Sequence, residues 1–222
     1  MEISSPKKVA VLLRLFPYLN NKEDAYKLKI DDESIHYISI REYAEKISAI
    51  IKENLNRIGI TQQDAIITDA TAGVGGDTIS FAKNFKFVTA IELDQLRSEY
   101  LQNNINIYNC NNVNVINGNC TELLKTIDNH DVVFIDPPWQ PDNTSYKKYD
   151  NLKLSIGDDS IELFCNKLMD ETYMKKIPKL IVLKLPKNYD VTYFYNNIIN
   201  KKIYYYDLNK MIILVIMVTL SF

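Results

Sequence analysis

The sequence predicts an α/β protein in which a doubly wound sheet of seven strands follows a short helical N-terminal extension. Short apolar segments alternate with segments of helical periodicity, and the last two apolar segments are spaced as a hairpin. Two motifs rich in acids, glycines or prolines come directly after strand-like segments. Because such sheets bind their ligands at the carboxyl ends of their strands, we expect both motifs to be functional.

The elements can be placed in order along the chain. Ser39-Ile40-Arg41-Glu42 has the pattern of a capping box and predicts the start of a helix. Parallel strands are predicted over 65–69, 87–91, 113–116, 131–135 and 180–185, a helix over 96–108, and a closing hairpin over 203–206 and 211–218. We therefore divide the chain into a helical extension, residues 1–38, and one sheet-containing domain, residues 39–222.

Composition limits the class of protein. A chain of 222 residues with 46% hydrophobic residues can bury the core of one domain, and its net charge of -2 provides no general basic surface for following a long duplex. Residues 211–220 are apolar, but they are fewer than the roughly 20 needed to span a bilayer. We read them as a buried strand and expect no membrane association.

The metal-ligating residue types are few. His36 and His130 are too few for a metal cluster, and each is predicted to be a surface or capping residue. Cys110, Cys120 and Cys165 are odd in number and lack close pairing, which indicates reduced thiols in an intracellular protein. The sequence therefore predicts neither a metal site nor a disulfide framework.

The first motif joins the first two predicted strands. Asp69, Gly73 and Gly75 have the acid-x-x-x-Gly-x-Gly spacing of enzymes that use S-adenosylmethionine, and Glu92 ends the next strand where an acid suits the ribose hydroxyls. A dinucleotide fingerprint would have a third glycine where Thr78 stands. Taken singly, Asp69 could be a turn residue and Glu92 a solvated strand end. The predicted cofactor-binding residues are Asp69, Thr71, Gly73, Gly75, Asp77, Thr78, Glu92, Asn119 and Asp136.

The second motif is Asp136-Pro137-Pro138-Trp139, which ends the fourth predicted strand. The amine of a nucleobase is a poor nucleophile, and Asp136 and the carbonyl of Pro137 are acceptors that can hold it and localise its lone pair. Prolines stiffen the turn, and Trp139 offers a flat surface for stacking a base. The alternative is a plain Pro-rich turn with a core tryptophan. We predict amine methylation, with Asp136 and Pro137 as catalytic groups.

Together these motifs resemble the trimethylguanosine synthases, which methylate the 2-amino group of a 7-methylguanosine RNA cap. The resemblance includes residues 69–83, 90–94 and 131–139 and the turn Leu185-Pro186-Lys187-Asn188. It implies a Rossmann-like methyltransferase sheet, stacking of the base on Trp139, and cap binding by Lys187 and Asn188. The family follows its tryptophan with two glycines, whereas Gln140 and Pro141-Asp142 follow here.

The extension also resembles that of the family. Residues 7–16 end in Arg14-Leu15-Phe16 with Lys7 seven residues earlier, which implies that the extension closes over the cap and that Lys7 contacts its triphosphate. The alternative for Lys7 is a solvated residue at a basic helix start. For Asn119, binding of the adenine edge of the cofactor and a plain turn residue are equal alternatives.

The sequence is interpreted as an S-adenosylmethionine-dependent RNA cap guanine 2-amino methyltransferase, acting on capped RNA and expected to be an intracellular monomer. One alternative is a guanine or adenine amino-methyltransferase of ribosomal RNA or DNA, since those enzymes share the acid-Pro-Pro-aromatic motif. The other is a cap-binding module without catalysis. The intact acids and glycines of the first motif favour an enzyme over the latter.

Overall fold

The structure is a computed structural model that describes residues 6–139, 147, 150–199 and 202–218. Backbone contacts divide the chain into two compact units, Met1–Asn119 and Cys120–Phe222. The seven strands of the mixed central sheet are distributed between these units, three in the first and four in the second. The predicted fold class, a doubly wound α/β sheet, is confirmed.

The first unit contains the helical extension and the first three strands. Its elements are α1 (Pro6–Leu15), a 3-10 helix (Lys22–Lys27), α2 (Ser34–Tyr37), α3 (Arg41–Arg57), β1 (Ile66–Asp69), α4 (Gly76–Asn84), β2 (Phe87–Glu92), α5 (Gln95–Ile107) and β3 (Val113–Asn117). The strands lie in the order β3-β2-β1 and are parallel. A helix follows each of β1 and β2, as parallel strands require a crossover connection.

The second unit contains the other four strands of the central sheet. Its elements are α6 (Cys120–Leu123), a 3-10 helix (Leu124–Thr126), β4 (Val132–Ile135), β5 (Ser155–Ile156), β6 (Asp159–Ser160), α7 (Ile161–Leu168), β7 (Leu180–Pro186), α8 (Val191–Asn197), β8 (Ile203–Asp207) and β9 (Met211–Met217). The order is β4-β7-β9-β8, with β7 parallel to β4 and antiparallel to β9. β9 is buried along its whole length, which confirms the buried strand predicted from its apolar sequence.

Among the described residues, no helix combines the length and the apolar character needed to cross a membrane.

The helical extension packs into the core of the first unit. Leu12, Leu15 and Phe16 of the extension belong to the same buried cluster as Ile79 and Leu101. Burial of three large apolar side chains stabilises the extension by roughly 1.5–3 kcal/mol for each. The extension therefore packs as part of the core of this unit.

Polar contacts also tie down the chain just after α1. The guanidinium carbon of Arg41 lies 3.7 Å from the centroid of the Tyr18 ring, a distance suited to a cation–π contact. Lys83 donates to the carbonyl of Tyr18 over 2.7 Å, and the Tyr108 hydroxyl donates to the carbonyl of Pro17 over 2.5 Å. These bonds satisfy backbone carbonyls where the extension leaves its helix.

Two local predictions are wrong. The N-cap residue of α3 is Ile40 and makes no side-chain capping bond, so Ser39 does not cap this helix. His130 is fully buried rather than a surface residue, and its Nε2 lies 2.7 Å from the carbonyl oxygen of Lys176. Because a carbonyl only accepts, the His130 ring nitrogen donates, and burial lowers the pKa of His130. A pattern in the sequence could not show the contact of His130 with Lys176, which is distant along the chain.

Candidate active site

The glycine-rich loop between β1 and α4 folds around the carboxylate of Asp69. Asp69 is 1% exposed, its Oδ2 accepts a hydrogen bond from the Thr78 hydroxyl over 2.6 Å, and its Oδ1 accepts from the Thr71 backbone N–H over 3.3 Å. Gly73 and Gly75 have φ values of +54° and +104°, in the left-handed region that favours glycine. The predicted residues of the first motif therefore come together as a tight loop at the carboxyl end of β1.

Glu92 closes this loop from the neighbouring strand. Its Oε2 accepts from the backbone N–H of Gly73 over 2.8 Å, and its Oε1 accepts from the N–H of Asp94 over 2.9 Å. The Asn117 side chain donates to the backbone carbonyl of Glu92 over 2.8 Å, a contact that the sequence analysis missed. Asn119 is exposed beyond the end of β3.

The donor and acceptor set of this loop fits S-adenosylmethionine. Glu92 has carboxylate oxygens that would suit the ribose hydroxyls, and the carboxylate of Asp69 would suit the amino group of such a cofactor. A Cβ added to Gly73 would meet no described heavy atom within 4 Å, so the loop leaves open space on that side. The space beside Gly73 is compatible with a bound cofactor.

Asp77 links the loop to the chain that precedes α3. Its Oδ2 accepts a hydrogen bond of 2.6 Å from the Ser39 hydroxyl, and both residues are buried. A Cβ added to the neighbouring Gly76 would lie 2.6 Å from Ile38 Cγ1 and 3.0 Å from the Ser39 carbonyl oxygen. The segment Ile38–Ser39 therefore packs directly against the glycine-rich loop. Ser39, predicted to cap a helix, instead helps to hold this loop.

Replacing Gly76 by alanine should strain this contact. The added methyl group must displace backbone as well as side chain, so we expect the free energy of unfolding to fall by about 1–3 kcal/mol and cofactor affinity to fall with it. Chemical denaturation and calorimetric titration measure the two effects. Ala82, which lies later in α4, offers a matched control as Ala82→Gly, where a small change in stability without any change in cofactor affinity is expected. Wild-type cofactor affinity in Gly76→Ala would contradict the assignment of this loop to cofactor binding.

The second motif begins where β4 ends. Asp136 Oδ2 accepts a 2.5 Å hydrogen bond from Lys184 Nζ, and the side chains are 20% and 3% exposed respectively. Lys184 Nζ also lies 5.5 Å from the centroid of the Trp139 ring. Pro137 is buried and Pro138 is exposed, while Trp139 is partly buried. The carboxylate, the ammonium and the indole thus form one cluster in the second unit, and we call it the Asp136–Lys184–Trp139 cluster.

The turn after β7 carries the predicted phosphate-binding residue. Lys187 forms a salt bridge with Asp207 at the end of β8, and both side chains are nearly half exposed. The hydrogen bond from Lys187 holds the pKa of Asp207 below its ordinary value. The backbone carbonyl of Asn188 accepts from the N–H of Leu152 over 2.8 Å, which ties this turn to the chain that follows the second motif.

Residues behind the turn hold it in place. The hydroxyl of Tyr189 donates to the buried carboxylate of Glu162, and burial raises the pKa of Tyr189 above its ordinary value. A neutral phenol therefore persists as the donor. The N–H of Asp190 donates to the carbonyl of Leu152 over 2.8 Å. These bonds fix the chain directly after Lys187 and Asn188.

Some predicted features cannot be placed. The side chain of Lys7 and the residues that follow Trp139, including Gln140, Pro141 and Asp142, lie outside the part of the chain that the structure describes. Lys184 was missed, although a lysine inside an otherwise apolar strand is a signal in itself, since buried lysines almost always have a charged partner.

Comparison with known proteins identifies relatives. Residues 64–216 match the family described as RNA cap guanine-N2 methyltransferase. An uncharacterized protein of Acanthamoeba polyphaga mimivirus is 39% identical over 208 residues, which cover 86% of this chain and 79% of that protein. The trimethylguanosine synthase of Schizosaccharomyces pombe is 33% identical over 101 residues, 43% of this chain and 41% of the fission yeast protein.

A solved structure supports the fold. A T. thermophilus 16S rRNA N2 guanine methyltransferase, in complex with AdoMet and guanosine, superimposes with a TM-score of 0.58 at 14% identity. The superposition covers 86% of this chain and 44% of that one. At this identity the likeness concerns the fold, which is that of Rossmann-like methyltransferases.

Proposed function

This chain belongs to the RNA cap guanine-N2 methyltransferase family, and we propose that it transfers methyl groups from S-adenosylmethionine to the exocyclic 2-amino group of a 7-methylguanosine RNA cap. The observation that supports this proposal most strongly is the contact of Asp136 and Trp139, which follow β4, with the buried Lys184 of β7. An acceptor for an amine and a flat surface for a base then stand side by side.

Catalysis in this proposal is mainly positioning. When bound, S-adenosylmethionine would supply an electrophilic methyl group and would retain the electrons of the broken sulfur–methyl bond as a neutral thioether. The 2-amino nitrogen would form the new bond and give up a proton to solvent. Asp136 and the Pro137 carbonyl accept hydrogen bonds from the amine and orient its lone pair. They also stabilise the positive charge that develops on the nitrogen, which is the type of interaction that accelerates a reaction.

The cofactor would be held by the first unit. Glu92, already fixed by the N–H groups of Gly73 and Asp94, would bind the ribose hydroxyls without a change of conformation. Asp69, held by Thr78, would face the amino group of the cofactor. Preorganised acceptors cost little to use, because their geometry exists before the ligand arrives.

The cap would be recognised by stacking and charge. Trp139 would stack on the guanine, and the positive charge of a 7-methylated base adds attraction to an electron-rich indole. Lys187, Asn188 and Lys7 would contact the cap, with the two lysines reaching its phosphates. Capped RNA is therefore the proposed partner, and we propose that the chain acts as a monomer.

The salt bridge between Lys187 and Asp207 leads to a prediction about phosphate binding. Asp207 competes with phosphate for the same ammonium group, so Asp207→Asn should tighten binding of 7-methylguanosine triphosphate and leave binding of the nucleoside unchanged. The gain should decrease as salt is raised, because exposed charges are screened. Calorimetric titration at two salt concentrations measures both effects. Equal affinities for wild type and variant at low salt would remove Lys187 from the phosphate site.

A comparison of four substrates tests the proposal. Transfer of labelled methyl groups is measured with a 7-methylguanosine cap analogue, an unmethylated cap analogue, ribosomal RNA and DNA. We expect transfer to the 7-methylguanosine analogue. Transfer to ribosomal RNA or DNA alone would favour the alternative methyltransferases with an acid-Pro-Pro-aromatic motif, and binding of the analogue without transfer would favour a cap-binding module.

A further inference from the structure

Lys184 places a charge at a buried position where the fold alone does not require one. It lies in β7 among the buried apolar residues Leu180–Leu183 and Leu185, and its own side chain is 3% exposed. Burying an ammonium group is costly unless it is paired, and an apolar residue at such a position would stabilise the sheet at least as well. The presence of the lysine therefore calls for another reason.

The register of the strands shows what the lysine reaches. Ile135 of β4 pairs with Leu183 of β7, so Lys184 comes one residue after this pair and lies beside Asp136, where β4 ends. Its Nζ is 2.5 Å from Asp136 Oδ2 and 5.5 Å from the centroid of the Trp139 ring. One ammonium group thus contacts both the amine acceptor and the base-stacking ring of the proposed site.

We propose that Lys184 is a positioning residue that fixes the Asp136 carboxylate and the Trp139 ring relative to each other. The ammonium restrains rotation of the carboxylate about its Cβ–Cγ bond and draws the indole toward the same point by a cation–π contact. The acceptor and the base surface are then aligned before the substrate binds. This inference rests on the proposed function, because it assigns Asp136 and Trp139 the roles given there.

The chain contains a matched control for this ion pair. Lys179 precedes β7 and lies 3.0 Å from Asp131, which precedes β4, so a second Lys–Asp pair joins the same two strands at their opposite ends. The Lys179 side chain is 50% exposed. Lys184→Met and Lys179→Met each remove the ammonium group of a Lys–Asp pair between β4 and β7. Only Lys184→Met removes it beside the second motif.

Turnover measurements separate the two variants. Lys184→Met should lower kcat by about 100-fold, the loss typical of a misplaced catalytic group, with little change in KM for S-adenosylmethionine. Lys184→Arg keeps the charge and should recover part of the loss, whereas Lys179→Met should retain wild-type kcat. Wild-type kcat in Lys184→Met, or an equal loss in Lys179→Met, would overturn the inference.

A double-mutant cycle distinguishes positioning from a general structural effect. If Lys184 acts through Asp136, adding Lys184→Met to Asp136→Asn should lower kcat no further than Asp136→Asn alone. If the two losses multiply, Lys184 acts independently of Asp136 and the inference is wrong.

A measurement without substrate keeps the inference separate from the proposed function. Trp139 is the only tryptophan in the sequence, so tryptophan emission reports on this ring alone. Lys184→Met should increase quenching of that emission by acrylamide, and Lys179→Met should not. Unchanged quenching in Lys184→Met would overturn the inference. Increased quenching in an enzyme that methylates none of the four substrates would support it while the proposed function fails.

Discussion

Asp136→Ala should reduce kcat for methyl transfer by about 10²–10³-fold, the loss typical of removing one preorganised group that stabilises developing charge. The affinity for S-adenosylmethionine should change much less, because Glu92 and the glycine-rich loop keep most of the predicted cofactor contacts. Rapid-quench measurement of a single turnover, with calorimetric titration of the cofactor, gives the two quantities. A loss confined to KM would mean that Asp136 only binds the substrate.

The same substitution should also affect stability. Removing Asp136 leaves the Lys184 ammonium buried without this partner, and breaking a buried ion pair from one side costs about 3–5 kcal/mol of unfolding free energy. The double variant Asp136→Ala/Lys184→Met removes both charges and should regain much of that stability. It should remain as inactive as Asp136→Ala. Recovery of activity together with stability would show that Asp136→Ala lost activity only by unfolding.

Trp139→Ala should weaken binding of the 7-methylguanosine cap by about 1–3 kcal/mol, roughly 5- to 150-fold, through loss of base stacking. Cofactor affinity should be unchanged, and kcat at saturating cap should fall less than KM rises. Trp139→Phe keeps a flat ring and should lose less affinity. Titration with the cap analogue and with unmethylated guanosine triphosphate measures whether the cationic base loses more, as a cation–π contact requires.

The outcome for Trp139 distinguishes a ligand surface from a core residue. A core tryptophan would give lower unfolding free energy in Trp139→Ala with equal losses for every ligand. Unchanged cap affinity in a folded Trp139→Ala would remove the strongest support for cap recognition.

Much of the fold could be predicted because its signals are local. The strands that carry the motifs are short apolar segments, and each was found within one residue of its predicted ends. The hairpin of β8 and β9 is likewise specified by its own sequence, since the carboxylate of Asp207 at the end of β8 accepts from the N–H of Asn209 in the turn. Ser39 was wrongly predicted to cap α3, because its hydroxyl bonds instead to Asp77, 38 residues away.

The site was predictable only in part for the same reason. Asp69 and Glu92 end neighbouring strands and Gly73 follows Asp69 at a characteristic spacing, and the parallel pairing of β1 and β2 brings them together. The contact of Lys184 with Asp136 depends on which strands are neighbours and in what register, and neither is written in the segment around Lys184. The pairing of Lys187 with Asp207 likewise depends on how the turn after β7 approaches the end of β8.

The most direct test of the central claim compares two cap analogues that differ in one group. A 7-methylguanosine cap analogue carries the 2-amino group, and the corresponding 7-methylinosine analogue lacks it. With labelled S-adenosylmethionine, we predict that the guanosine analogue gains label on its 2-amino nitrogen, identified by mass spectrometry of the released nucleoside, and that the inosine analogue gains none. Equal labelling of both analogues, or label at any other position of the guanosine analogue, would contradict methylation of the cap 2-amino group.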